Sequence, residues 1–394
     1  MNVPKLRFKE FNDEWCLRTL NELYTFKNGI NGDRTQFGKG IKFISVGDIL
    51  NNNYITYDKI KGLIDIDEKT LHENSVEFGD ILFQRSSETR KEIGMSNVYL
   101  DNKLSTFGGF VIRGKKNKDN KNNPSFINYL LRSQTVRKDI VFRGAGAQHY
   151  NIGQEDLKKV SINIPSLAEQ NKISNILELL DKKIELQTKK IEDLKLFKLY
   201  TENNLLNSNA SINWKETKLS DILIEGNKIP VKNTNDFKKI TIKLNLNGLE
   251  FNETKREMSD TRPFYVRDEN EIIIGKQNYF NGSIAIVTKK FAGCICSNAI
   301  MSFKVKEEFD LDYIYLYLSQ KKYMKQREFL ANGTGQKELS EREFLKFTIK
   351  IPDDSTIKRI TSTINSINNK INLENNKLNK LMELKKGLMQ NMFV

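Results

Sequence analysis

Ser161-Ile-Asn-Ile-Pro165-Ser-Leu-Ala-Glu169-Gln170-Asn-Lys-Ile173 reads as a short β-prone run, a proline, and the start of a helix. The chain repeats this plan as Thr348-Ile-Lys-Ile-Pro352-Asp-Asp-Ser-Thr356-Ile357, at an offset of 187 residues. The same offset pairs Phe142 with Phe329, Ile173 with Ile360, Ile184 with Ile371 and Leu194 with Leu381. Upstream, Trp15-Cys-Leu-Arg-Thr-Leu20-Asn-Glu-Leu23 is echoed by Trp214-Lys-Glu-Thr-Lys-Leu219-Ser-Asp-Ile222 at an offset of 199, and these are the chain's 2 tryptophans. An internal repeat of this kind decides the architecture before any single element does. The chain is a pseudo-duplication whose two halves share a plan and diverge inside it.

Downstream of each Ile-Pro, apolar residues recur in steps of three and four. The first run holds Ile173, Leu177, Leu180, Ile184, Ile191 and Leu194; the second holds Ile360, Ile364, Ile367, Ile371, Leu378 and Leu381. This spacing predicts two long helices, each with a heptad seam. Gln187 and Glu374 interrupt the seams at equivalent places. Two matching seams in one chain are expected to bury each other as an antiparallel coiled coil. Gln187 would then face about Leu378, and Glu374 about Ile191.

The 394 residues allow two or more domains. With 38% hydrophobic and 29% charged residues, the composition excludes both a disordered chain and a membrane protein. No apolar run nears the roughly 20 residues of a bilayer span, and 3 cysteines make no disulfide framework, so a cytoplasmic location is expected. The formal charge of +14 divides as +6 on residues 1–160, zero on 161–210, +5 on 211–350 and +3 on 351–394. The basic excess lies mostly in two separated blocks, each with nearly as many acids, and points to a polyanionic partner.

Those blocks carry short β-prone runs between Gly/Asn/Asp turns: Lys42–Val46, Asp80–Phe83, Phe110–Ile112, Glu271–Ile274, Ser283–Val287 and Met301–Val305. Each ends in one expected helix, Ser125 to Val141 and Leu311 to Phe329. The fold class is therefore α/β (α+β), with mostly antiparallel sheets in two globular domains separated by the long helices. The expected boundaries are 1–165, 166–208, 209–352 and 353–394.

The opening Pro4-Lys-Leu-Arg-Phe8-Lys-Glu-Phe11-Asn-Asp-Glu-Trp15, the Pro165-x-x-x-Glu169-Gln170 junction and the duplicated plan together resemble the specificity subunits of type I restriction–modification enzymes. The resemblance covers essentially the whole chain, except that the second junction lacks the Glu-Gln pair. It implies a non-catalytic protein in which each globular domain reads one half of a split double-stranded DNA site and the paired helices act as spacer. It also implies docking of two methyltransferase subunits and of translocase–nuclease restriction subunits. S-adenosylmethionine, ATP and magnesium would belong to those partners, with no cofactor in this chain.

Sequence readout needs bidentate donors and acceptors: Arg or Lys for guanine, Asn or Gln for adenine, Ser or Thr for either. The first block offers Gln84, Arg85, Ser86, Ser87, Arg90 and Lys91; the second offers Lys276, Gln277, Asn278, Tyr279 and Asn281 after a similar strand. Lys39, Lys42, Lys115, Lys116, Lys289, Lys290 and Lys337 are candidates for phosphate contacts, which position without specifying.

Other patterns read as decoys. Phe142-Arg-Gly144-Ala-Gly146 has the spacing of an S-adenosylmethionine loop but follows an expected helix, and Gly32 to Gly40 is too long for a phosphate loop. Cys294 and Cys296 lack two further soft ligands for zinc, and His149 lacks a partner for general-base work. Asp236 with Glu253 and Lys255 imitates a metal-dependent nuclease triad. The alternatives are a type IIB-like specificity subunit, a coiled-coil scaffold and a nuclease using Asp236 and Glu253.

Overall fold

The two offsets, 199 at each tryptophan and 187 at each Ile-Pro, turn out to mark two edges of one ribbon. In a computed structural model that describes residues 3–146, 149–207, 214–252, 262–328 and 338–394, Cys16–Thr19 pairs antiparallel with Ser161–Ile164, Cys16 lying opposite Ile164. In the second half Lys215–Lys218 pairs with Thr348–Ile351, Lys215 lying opposite Ile351. Ile162 and Ile164 turn inward while Ser161 faces solvent, the period of two expected of a strand with one buried face. Each globular block is thus pinched shut by its first and last strands, and the length difference falls between them.

The chain forms two compact units, Met1–Ile191 with Glu374–Val394, and Glu192–Leu373. Each is built on a four-stranded antiparallel sheet. In the first the order is Tyr24–Asn28, Val111–Lys116, Ile81–Gln84, Ser96–Val98; in the second it is Leu223–Glu225, Ile300–Val305, Ile272–Gly275, Ile284–Ile286. The inner strand of each is apolar on both faces because it serves two cores. Ile81 and Phe83 enter the main core of the first unit while Leu82 points into a satellite core with Ile44, Ile55 and Phe107. Ile272 and Ile274 enter the main core of the second unit, and Ile273 a smaller one with Ile240, Phe291 and Cys296. Among the described strands one pairing is parallel, Phe43–Ile44 beside Thr106–Phe107, and isolated parallel bridges join Ile30 to Gly108, Ile55 to Tyr99 and Lys239 to Ile295.

The single helix expected over Ser125 to Val141 is two, Pro124–Arg132 and Gln134–Arg143. Ser133 closes the first through its N–H and opens the second, its hydroxyl accepting from the Val136 N–H. A serine cap competes with helix continuation, and here it wins. Leu311–Leu318 and Lys321–Arg327 are likewise separate; Phe329 lies outside the described residues.

The two long helices are Leu167–Leu206 and Asp354–Asn391. Within the first unit they run antiparallel: Asp181 meets Lys385 at 2.5 Å, while Lys190, further along the first helix, meets Glu374, earlier on the second, at 3.0 Å. These pairs put Glu374 level with about Ile191, the register expected of the antiparallel seams. Across it the Gln187 amide reaches diagonally, donating to the Glu374 backbone oxygen (2.9 Å) and Oε2 (2.8 Å). A donor amide and a carboxylate satisfy each other in this way, whereas each against an apolar side chain alone would lie unpaired. Ile173, Leu177, Leu180, Ile191, Ile360, Ile364 and Ile371 are buried; Ile184, Leu194, Ile367, Leu378 and Leu381 are half-buried. Ile173 and Leu177 lie in the first unit's main core, Ile360 and Ile364 in the second's.

Candidate nucleic-acid interface

In both units the inner strand leaves its sheet at a basic residue held by the same backbone bonds. The Arg85 N–H donates to the Phe110 carbonyl (2.9 Å), and the Arg85 carbonyl accepts from the Ile152 N–H (3.0 Å). The Lys276 N–H donates to the Ala299 carbonyl (3.0 Å), and its carbonyl accepts from the Leu339 N–H (2.9 Å). Arg85 and Lys276 are therefore structural equivalents, each set where three chain segments meet at one end of the sheet. A fourth segment comes close to the first unit's turn: a Cβ on Gly29 would fall 2.1 Å from the Gly108 oxygen.

Around Arg85, the guanidinium reaches the Gly109 carbonyl (3.4 Å), and the Ser86 hydroxyl donates to Asn151 Oδ1 (2.5 Å). Arg85, Arg90 and Lys91 are exposed and Ser86 is half-buried. Gln84 and Ser87 are turned inward: the Gln84 amide donates to the Ser86 carbonyl (2.8 Å), and the Ser87 hydroxyl accepts from the Thr89 N–H (3.1 Å). Both belong to the packing that shapes the loop.

Lys276, Gln277 and Asn278 line a cleft of about 630 Å³ together with Lys239, Asn252, Arg262, Phe264 and Ser297. Among the described residues its lining holds three cations and no carboxylate, an electrostatic surface suited to an anionic ligand. Asn281, exposed, donates to Asn278 Oδ1 (3.2 Å). Tyr279 is fully buried, and its hydroxyl donates to the Leu318 carbonyl (2.8 Å), so it anchors the loop from below.

The lysines are more scattered. Lys115 and Lys116 end the strand Val111–Lys116, at the opposite end of the sheet from Arg85. Lys115 pairs with Glu77 (2.8 Å), and Lys116 donates to the Asn122 carbonyl (3.3 Å), with burial pushing its pKa down. Lys42 donates to the Ile60 carbonyl (2.6 Å), and Lys39 pairs with Asp65 (2.9 Å). Lys289 and Lys290 are exposed, Lys290 near the Phe251 and Phe291 rings, and Lys337 lies outside the described residues. Sequence reasoning missed Asn31, Phe110 and Asn151 in the first unit and Lys239, Asn252 and Arg262 in the second. All come from segments far from the basic loops in sequence, and only strand pairing brings them near.

Phe142 ends a helix rather than a strand. Arg34–Gln36 forms a single 3-10 turn leading into Phe37–Ile44 within the Gly32 to Gly40 stretch. The Cys296 thiol accepts from Arg267 Nε (3.0 Å), and burial pushes both the Cys294 and Cys296 thiols up. Asp236 accepts from the Asn233 amide (3.0 Å); Glu253 and Lys255 lie outside the described residues. Among the described residues no three His, Cys, Asp or Glu side chains are grouped to hold a metal, and no helix is long and apolar enough to cross a membrane.

The Glu-Gln pair of the first junction also faces inward. Glu169 is buried and takes two bonds from Arg7, Nε to Oε1 and Nη2 to Oε2, each 2.8 Å. Gln170 donates to Asn122 Oδ1 (2.8 Å) and the Pro165 carbonyl (3.0 Å) and accepts from the Asn123 N–H (2.9 Å). The opening segment and the junction thus fasten each other. In the second copy Asp353 instead caps its helix, accepting from the Thr356 N–H (3.0 Å).

Comparison with known proteins agrees with this duplicated arrangement. The family model described as type I restriction modification DNA specificity domain matches twice, over residues 12–196 and 211–383. A protein of Methanocaldococcus jannaschii, provisionally named type I restriction enzyme MjaX specificity subunit, is 23% identical over 379 residues, covering 89% of this chain and 86% of its own. The crystal structure of the type I restriction–modification S subunit from M. genitalium is similar across 100% of this chain and 99% of its own, with TM-score 0.60 and 16% identity. A chain from a study of complex assembly and conformational transition in the type I system matches over 95% of this chain and 96% of its own, with TM-score 0.54 and 14% identity. The chain belongs to the type I restriction–modification DNA specificity family, as a specificity subunit that carries the family's domain twice.

Proposed function

We propose that this chain is the non-catalytic DNA-reading subunit of its complex, binding a split double-stranded site with one unit on each half. Residues 1–165 and 209–352 would be the two target-recognition domains, and 166–208 and 353–394 the spacer helices. The helices would dock two methyltransferase subunits, with restriction–translocase subunits joining them; S-adenosylmethionine, ATP and magnesium would act in those partners. The observation that carries this reading is the equivalence of Arg85 and Lys276, two basic residues presented by the same backbone bonds at the same sheet end of two divergent units. One frame holding different side chains is what two half-sites of different sequence require. Arg85, Ser86, Arg90 and Lys91 would read one half; Lys276, Gln277, Asn278 and Asn281 the other, with Lys239 and Arg262 against phosphate. Of the lysines outside these loops, Lys39, Lys289 and Lys290 remain phosphate candidates.

Methylome sequencing of cells expressing this chain with its methyltransferase partner tests the reading. A split methylated sequence is expected. Arg85→Ala should relax or weaken recognition in one half and Lys276→Ala in the other, by about 1–3 kcal/mol if each contacts a base. Absence of any methylated motif, or both substitutions acting on the same half, would overturn it.

A further inference from the structure

Phe110 sits in the turn Gly108–Val111, closed by the Val111 N–H to the Gly108 carbonyl (2.8 Å), and its side chain is 70% exposed. The turn is rigid. Arg85 bonds the carbonyls of both Gly109 and Phe110, and a Cβ on Gly109 would lie 1.8 Å from Asn31 Oδ1. In the second unit the same turn is Asn298-Ala299, and the Lys276 N–H bonds the Ala299 carbonyl as Arg85 bonds that of Phe110. The fold is thus satisfied by a methyl group at this position. The Phe110 ring packs into neither core of its unit, although it stands beside Arg85 at the strand end where Ser86 and Asn151 meet.

We propose that Phe110 is a specificity-determining residue of the first unit, reading the 5-methyl group of a thymine in the major groove beside the base edge addressed by Arg85. The proposal rests on the DNA-reading function proposed above. Among the four bases only thymine presents a methyl group in that groove, and an apolar side chain is what recognises it. Arg85 supplies donors and Ser86 a hydroxyl; Phe110 supplies the apolar contact that neither makes. Ala299 is too short to reach as far, so the second unit depends on Gln277 and Asn278 instead.

Replacing thymine with uracil removes that methyl group and nothing else. The complex of this chain with its methyltransferase partner is titrated with duplexes carrying the methylated sequence, each thymine of each half-site replaced in turn by uracil. The wild type should lose about tenfold in affinity at one thymine of one half-site, in the range of a single mismatched contact. Phe110→Ala, which places at this turn the residue its counterpart carries, should lose the same factor on unmodified DNA and nothing more on the uracil duplex. Affinity changes at the other half-site should be the same in both proteins. If no thymine is sensitive in the wild type, or if Phe110→Ala keeps the full sensitivity, the inference fails. A methylated split sequence indifferent to Phe110 would leave the DNA-reading function standing, whereas absence of any such sequence would remove both.

Discussion

Arg7 and Glu169 stand 162 residues apart in sequence and make two parallel bonds of 2.8 Å, with Glu169 closed off from solvent. Arginine's planar fork matches a carboxylate in this way, and loss of one partner leaves the other charge buried alone. Arg7→Ala should therefore destabilise the first unit by about 3 kcal/mol, read by denaturant unfolding. Adding Glu169→Ala should recover part of that loss, because the orphaned carboxylate is gone. If the pair instead served a partner, Arg7→Ala would leave stability unchanged and weaken methyltransferase binding. The sequence makes Arg7, Glu169 and Gln170 conspicuous as parts of two motifs, but their union is invisible in it, since no periodicity links residues so far apart. The basic loops were legible in the same partial way. Composition singled out Arg85 and Lys276, whereas the inward turn of Gln84, Ser87 and Tyr279 goes with local bonds that composition does not show, to the Ser86 carbonyl, the Thr89 N–H and the Leu318 carbonyl.

The two long helices were the most legible elements, because a seam repeated twice carries its own confirmation. Their register needs more than the seam, since a heptad seam fits itself equally well after a slip of one repeat. What fixes it is the polar layer. Gln187 and Glu374 are equivalent by the repeat, as are Lys190 and Lys377, and all four meet: Glu374 accepts from Gln187 (2.8 Å), Lys190 (3.0 Å) and Lys377 (3.4 Å). These bonds, Gln187 first, hold the Glu374 carboxyl down at about 2, burial opposing them more weakly. The folded pKa lies below the ordinary value of 4.5, so this stabilisation is complete above about pH 4.5 and lost as pH falls towards 2. Because the surroundings are nearly symmetric, exchanging the two residues should be tolerated. Gln187→Glu should lower Tm by facing two carboxylates, with partial recovery on acidification. Glu374→Gln should lower it by leaving Lys190 and Lys377 without their shared acid, and should abolish the acid-dependent loss. The double exchange should return Tm close to wild type. Simple additivity of the two losses would show that the layer is not a symmetric lock.

The first unit is assembled from two stretches of sequence, whereas the second is one continuous stretch. The first draws its core from residues between Trp15 and Leu177 and from Met392 and Phe393; the second takes Leu206 at one end and Ile357, Ile360 and Ile364 at the other. Leu206 and Phe393 are equivalent at the offset of 187, so each long helix leads into a main core with the same type of residue at the same place. In the second unit the chain continues from there towards Trp214. In the first, Phe393 packs edge-on against Trp15 (6.5 Å between ring centroids) and at a tilt against Phe126 (5.7 Å), and the Leu6 N–H bonds the Asn391 carbonyl (2.8 Å). A join that is covalent in one copy is thus made by packing in the other. That non-covalent join has to be held by side chains, which explains an aromatic at 393 where the other copy needs only leucine. Phe393→Ala removes a buried ring between two others and should cost about 3–5 kcal/mol. The loss should fall on the first unit: hydrogen exchange should accelerate in Ile81–Gln84 and Val111–Lys116 while Ile272–Gly275 and Ile300–Val305 keep wild-type protection. Leu206→Ala, at about 2–5 kcal/mol, should do the reverse. Equal acceleration of both sheets by either substitution would mean that the units unfold as one, and that the duplication no longer divides the molecule energetically.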